Sequence, residues 1–103
     1  MKKYELRISP QIDIDLDEIK NFIAKDSFEC AKSIVQEIVI AINSLSTMPN
    51  RGANLSNRIS FATAYKYLIV QKHYGIFYRI NGDEVIVTRV VHLARNLKKL
   101  KLE

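Results

Sequence analysis

The period of the hydrophobic pattern changes several times along this chain, and each change marks an element. Tyr4, Leu6 and Ile8 alternate with Glu5 and Arg7, the pattern of a short strand with one buried side. Ser9 then offers a capping oxygen, and Pro10 suits a first helical position, where its missing N–H is not needed. From Ile12 to Asp17 apolar and acidic residues alternate, but Asp is disfavoured in strands. A helix explains more, because Ile12, Leu16, Ile19 and Ile23 fall on one stripe with Phe22 beside it. The acids Asp13, Asp15, Asp17 and Glu18 then sit in the early turns, where the helix dipole favours them. The expected helix covers roughly residues 10–25.

Asp26 and Glu29 fit a capping box that opens a second helix. Its inner face would carry Ala31, Ile34, Val35, Ile38, Ile42 and Leu45, while Val39, Ile40 and Ala41 widen the apolar surface. Such a helix needs cover on more than one side, and it is expected to end near Met48-Pro49. Two helices so closely joined make an antiparallel hairpin. From Asn50 to Ala64 the pattern dissolves into a loop, a length often associated with function. Tyr65–Gln71, Tyr74–Ile80 and Val85–His92 alternate again as three strands. Asn81-Gly82 between the last two is a strong hairpin signal. The tail from Leu93 to Glu103 is cationic and compatible with a short helix. The expectation is a single domain over residues 1–103 of α+β class: an N-terminal strand, a helix hairpin on one face, and a mostly antiparallel sheet completed by a C-terminal three-stranded meander.

Composition narrows the setting. A chain of 103 residues with 48% hydrophobic content fills one core, and neither low complexity nor an internal repeat interrupts it. The first residues lack the apolar run of a signal peptide, and no stretch approaches the roughly 18 uncharged residues of a membrane helix. The expected location is the cytoplasm, with no membrane association. Cys30 is the one cysteine, so neither an internal disulfide nor a cysteine-based metal site is available; no cofactor or metal is expected. The net charge of +5 divides unevenly. Residues 1–48 carry six Lys/Arg against eight acids, or −2, and residues 49–103 carry ten against three, or +7. A basic half of this kind suits a polyanion or an acidic partner, although solubility alone also explains it.

Three stretches together resemble one family. Ser9-Pro10, Asp15-Leu16, Ile19 and Phe22-Ile23 are similar to the first helix of ParE-type toxins, as is a long second helix ending in Leu45-x-x-Met48-Pro49-x-x-Gly52. The runs Tyr67-Leu68-Ile69-Val70, Ile76-Phe77-Tyr78-Arg79-Ile80-x-Gly82-x-x-Val85 and Arg89-Val90-Val91-His92-x-x-Arg95 resemble the sheet and C-terminal signature of the RelE/ParE superfamily. The resemblance covers nearly the whole chain. It implies the toxin of a type II toxin–antitoxin module, causing growth arrest, neutralised by a cognate antitoxin that folds onto it, and meeting operator DNA only through that antitoxin.

Two activities share this fold: ParE-like members inhibit DNA gyrase, and RelE-like members cleave mRNA on the ribosome. Cleavage needs a base, an acid and cations around the phosphate. His92 and Arg95 are the candidate catalytic residues under that reading, yet strict alternation along the last strand puts His92 and Arg89 on opposite faces unless a bulge intervenes. RelE-like enzymes usually place an arginine after the aromatic residue that opens the middle strand, and often a tyrosine past the last strand. Here Gly75 follows Tyr74, and Leu93, Leu97 and Leu100 fill the later region. Gyrase inhibition is therefore favoured, the ribosome-dependent endonuclease is the alternative, and a non-toxic antitoxin-binding relative is a third reading.

The expected target-contacting surface is Arg79, Arg89, Arg95, Lys98 and Lys99. The expected antitoxin-binding surface is Leu16, Ile19, Phe22 and Ile23, extending onto Val39 and Ile40. Plainer roles stand beside these. His92 could cap the strand, Arg79 and Arg89 could be surface cross-strand charges, Cys30 and His73 could be inert, and the acidic run could be a solvated helix face.

Overall fold

The computed structural model describes residues 3–57 and 63–96. Strand β1 (Glu5–Ile8) leads into helix α1 (Gln11–Ala24), which ends three residues before helix α2 (Phe28–Ser44). A two-residue strand β2 (Ala53–Asn54) and a 3-10 turn (Leu55–Asn57) follow. Strands β3 (Lys66–Val70), β4 (Tyr74–Asn81) and β5 (Glu84–His92) come next, with a single helical turn α3 (Leu93–Asn96) after them. The sheet runs β1-β5-β4-β3-β2. All neighbours are antiparallel except β1, which lies parallel to β5 with Leu6 opposite Val85 and Ile8 opposite Val87. The α1–α2 hairpin carries the chain across the sheet from β1 at one edge to β2 at the other, and the antiparallel strands return it to β5 beside β1.

The expected α+β architecture is the observed one, with local differences. At the start of α1 Pro10 stands at the cap position, and the Ser9 Oγ just before it accepts from the Gln11 N–H at 3.3 Å. The cap of α2 is Ser27 and not Asp26: Ser27 is extended, and its Oγ accepts from the Cys30 N–H at 3.1 Å. A capping oxygen accepts the N–H two or three residues on, and at α2 the extended backbone of Ser27 turns its hydroxyl to that position. The second helix stops at Ser44, short of Met48-Pro49. Bonds from Leu45, Ser46 and Thr47 back to Ile42, Asn43 and Ser44 tighten it into turns. The loop after it contains β2, which pairs Ala53 with Tyr67 and gives the sheet a fifth strand.

The core between the sheet and the hairpin contains Ile12 and Ile19 of α1, Ile38, Ala41 and Ile42 of α2, and Tyr78, Val85 and Val87 of the sheet. A smaller cluster of Leu55, Tyr65, Phe77 and Val91 covers the other sheet face, with Tyr67 and Leu93 packed against it. The alternation of β5 breaks once. Phe77 pairs with Arg89 but Tyr78 pairs with Val87, leaving Thr88 as an extra residue, and its hydroxyl donates to the Phe77 carbonyl at 3.2 Å. Such a bulge re-aims the side chains that follow it. Val90 therefore joins Val85 and Val87 in the helix-side core, while Val91 packs on the far side.

The segment after α2 is fixed by one tyrosine. Buried Tyr78 donates its hydroxyl to the Pro49 carbonyl at 2.8 Å and accepts the Gly52 N–H at 2.9 Å. Burial pushes the Tyr78 phenol up from its ordinary range, with the Gly52 N–H and the Arg51 charge acting the other way. A Cβ on Gly52 would lie 2.6 Å from both the Tyr67 carbonyl oxygen and the Tyr78 hydroxyl. The Pro49-x-x-Gly52 spacing and Tyr78-Arg79, read above as family resemblance, thus include the two halves of one loop anchor.

Candidate functional site

β1 ends where β5 does not. Its final link is the Ser9 N–H on the Val87 carbonyl at 2.9 Å, and beyond that point β5 has no strand beside it on that side among the described residues. Asp15, from the first turns of α1, fills the gap. Its Oδ2 accepts the Val90 N–H at 2.9 Å and Arg89 Nε at 2.8 Å, and its Oδ1 accepts Arg89 Nη2 at 3.1 Å and Gln11 Nε2 at 3.1 Å. The carboxylate is 2% exposed and the Arg89 side chain 21%. A fork-on-fork pair of this kind fixes geometry as well as charge. The acidic run is therefore not uniformly a solvated face: Asp13, Asp17 and Glu18 are exposed, but Asp15 is buried.

Arg89 and His92 line one cleft, although the strand alternates regularly between them, after the bulge. By pairing with Asp15 at the open strand edge, the long Arg89 side chain gets into that cleft. Asp15, Glu18 and Ile19 form its α1 wall; Arg89, His92 and Arg95 supply its basic side. Arg95 does not stand free. Its guanidinium carbon lies 3.8 Å from the centre of the Phe22 ring, with Lys25 Nζ at 5.7 Å from the same ring. Cation–π contact thus ties the turn after β5 to α1.

His92 packs edge-on to Tyr74, ring centroids 5.3 Å apart, and lies parallel to His73 at 5.9 Å. Its Nδ1 is buried and has no hydrogen-bond partner among the described residues. Burial is the main cause that moves its pKa below the ordinary value of 6.5, with the charges of Arg95 and His73 adding to it and a backbone hydrogen bond opposing. The unfolded chain therefore binds more protons than the folded one just below pH 6.5, so acid destabilises the fold there. Stability measured by urea unfolding is expected to fall as pH drops below that value, and His92→Gln is expected to remove that part of the slope. A slope unchanged by the substitution would assign it to other groups.

Gly75 explains an absence noted in the sequence. A Cβ there would lie 2.8 Å from Leu93 Cδ2 and 3.1 Å from Phe77 Cε1. The Leu93 N–H also donates to the His73 carbonyl at 2.8 Å, so Leu93 closes over the glycine.

The other expected site residues separate. Arg79 is half-buried on β4 opposite Ile86, toward the end of the sheet away from His92. Lys98 and Lys99 lie outside the described residues. In the expected antitoxin set, Ile19 is 5% exposed and belongs to the core, because its α1 stripe faces the sheet. Leu16 and Ile23 are partly buried against the same core. Phe22 stays half exposed, as do Val39 and, more fully, Ile40. Sequence reasoning missed Asp15 as a structural ligand of β5 and Leu93 as the cover of Gly75. Among the described residues no group of His, Cys, Asp and Glu is placed to hold a metal ion, and no helix is long and apolar enough to cross a membrane.

A helix hairpin crossing the sheet from one edge strand to the other, with a cationic turn lying back on the first helix, defines a small α+β domain of RelE/ParE type. The comparisons agree with that class and narrow it. The family model described as the ParE toxin of the type II toxin–antitoxin system parDE matches residues 6–97; the chain belongs to this family. A solved structure of the chromosomal ParDE toxin–antitoxin system from P. aeruginosa is similar at a TM-score of 0.71, with 21% identity over 89% of this chain and 98% of that one. The toxin–antitoxin complex RelBE2 from Mycobacterium tuberculosis is similar at 0.59, with 24% identity over 89% of this chain and 93% of that one. Comparison with curated proteins gives no match.

Proposed function

We propose that this toxin acts by inhibiting DNA gyrase and is held inactive by a cognate antitoxin. The observation that carries the choice of target is the state of the cleft, where the groups an RNA-cleaving site would use are engaged within the protein. Arg89 is paired with buried Asp15. Arg95 lies on Phe22. The position after Tyr74 has no side chain and is covered by Leu93. His92 alone remains as a base, with one ring nitrogen buried, and a lone histidine without a placed acid or phosphate-binding cation supports little cleavage. The cationic end of the chain then serves as a contact surface, with Arg95 the best-placed of the expected basic residues.

The antitoxin reading is supported by family membership and by apolar side chains that the fold leaves open. Phe22 on α1 and Val39 and Ile40 on α2 are exposed, and an amphipathic segment that folds on binding would cover such a surface.

The test is a gyrase supercoiling assay with the purified toxin, with and without ATP, scored also for trapped cleaved DNA. Loss of supercoiling at micromolar toxin, relieved by antitoxin and retained by His92→Ala, is the expected result. Untouched gyrase together with codon-dependent mRNA cleavage in a translating lysate, abolished by His92→Ala or Arg95→Ala, would move the activity to the ribosome. Absence of both activities and of growth arrest would leave a non-toxic antitoxin-binding protein.

A further inference from the structure

β1 is the outermost strand, and β5 is its one paired neighbour among the described residues. The Glu5 N–H reaches the Asp83 carbonyl at 2.8 Å and the Ser9 N–H reaches Val87 at 2.9 Å. Odd-numbered peptide groups thus face β5, and those of Leu6 and Ile8 face off the sheet. An edge of this kind is a template for another strand unless something repels it. No repulsion is built in here. Glu5 and Arg7, both exposed, give the sheet face away from the helices one charge of each sign. Leu6 lies between them on the helix side, packed on the core.

These positions are self-complementary. Set two copies antiparallel with a two-fold axis at Leu6. Each Glu5 then faces Arg7 of the second copy, and the two Leu6 residues face one another and exchange N–H···O=C bonds. Ile8, 48% exposed, comes opposite Tyr4 of the second copy on the same apolar side. We propose that β1 is a self-association edge, through which two copies of this chain join into one continuous sheet.

Arg7 already reaches Glu84 at 2.9 Å, so in the pair its guanidinium would lie between that carboxylate and Glu5 of the second copy. The Tyr4 N–H is held by the Ser46 carbonyl at 2.7 Å, which bounds the ladder at that end. So short a ladder buries less than the roughly 1,000 Å² of a stable interface. The dimer is therefore transient, with a dissociation constant on the order of 10 μM to 1 mM. The proposal is independent of the toxin's target.

The test is sedimentation of the full chain from about 10 μM to about 1 mM, a range chosen from the interface size. Wild type is expected to dimerise with concentration. Glu5→Arg places like charges opposite one another at both crossings and is expected to weaken the dimer by about tenfold or more; Arg7→Glu should do the same. An equimolar mixture of the two variants restores opposite charges at both crossings, and is expected to form a heterodimer at least as readily as wild type forms its dimer. Thermal melts confirm that each variant is folded. If Arg7→Glu loses its fold with its Glu84 partner, Glu5→Arg against wild type decides alone. A monomer throughout, a dimer indifferent to the substitutions, or a mixture of folded variants that stays apart each overturns the proposal. So does an edge that accepts only an antitoxin strand.

Discussion

Asp15→Ala is expected to cost this domain about 3–5 kcal/mol, the range for breaking a buried ion pair on one side. The substitution strands the Arg89 guanidinium, and it also removes the acceptor of the Val90 N–H at the strand edge. Domains of this size have only about 5–15 kcal/mol of stability, so the melting temperature is expected to fall by roughly 15 °C or more. Asp15→Asn retains an acceptor oxygen for Val90 and is expected to lose less. Urea denaturation of the three proteins checks the order. If Asp15→Ala behaves like an exposed-site change, within about 0.5 kcal/mol of wild type, the carboxylate does not hold β5.

The second large effect is expected at the loop anchor. Tyr78→Phe removes the donor to the Pro49 carbonyl and the acceptor of the Gly52 N–H together. Two backbone groups left without partners, one buried and one partly so, cost about 2–6 kcal/mol. Gly52→Ala is expected to do at least as much harm by a different route. Its new methyl would meet a backbone carbonyl of β3 at 2.6 Å, and that strand cannot retreat without losing its pairing with β2. Both substitutions release the same segment, so their double variant is expected to be less destabilised than the sum. Full additivity in urea unfolding would show that the tyrosine and the glycine act separately.

Much of this fold was legible in the spacing of apolar residues. Period two marked the strands and a stripe at three and four marked the helices, because each element buries one face. Readings that depended on a single residue were less secure. Asp26 and Ser27 are adjacent capping residues, and only the backbone decides between them. The two-residue strand β2 has too few positions to show a period at all.

The site was harder to read, for physical reasons. The acids of α1 look alike as a string, yet Ile12, Asp15 and Ile19 are the buried residues of that helix. An acid three residues after one core isoleucine and four before the next stands on the apolar face itself, and that was the available signal. Its partner could not be found by the same means, because Arg89 lies 74 positions away and meets Asp15 only once β5 has its place in the sheet. Gly75 was noticed as a missing arginine; its positive reason, the approach of Leu93, is a tertiary contact. Ile19 was grouped with Phe22 as partner-binding surface because a stripe identifies which side chains are apolar, not which of them the sheet has already covered.

The pairing of the first strand with the last also sets an order of events in time. Asp15 meets Arg89 74 positions later in the chain, and β1 has no strand neighbour until β5 is made. During synthesis the α1–α2 hairpin emerges early, with an acid on its apolar face and nothing to neutralise it. Contacts this distant along the chain close slowly. Closure here waits for the final strand, so the cleft, the cationic turn and the edge of the sheet form together at the end. A product cut short before Glu84 has none of them, and the nascent chain stays without its finished surface until β5 and the turn after it have been made.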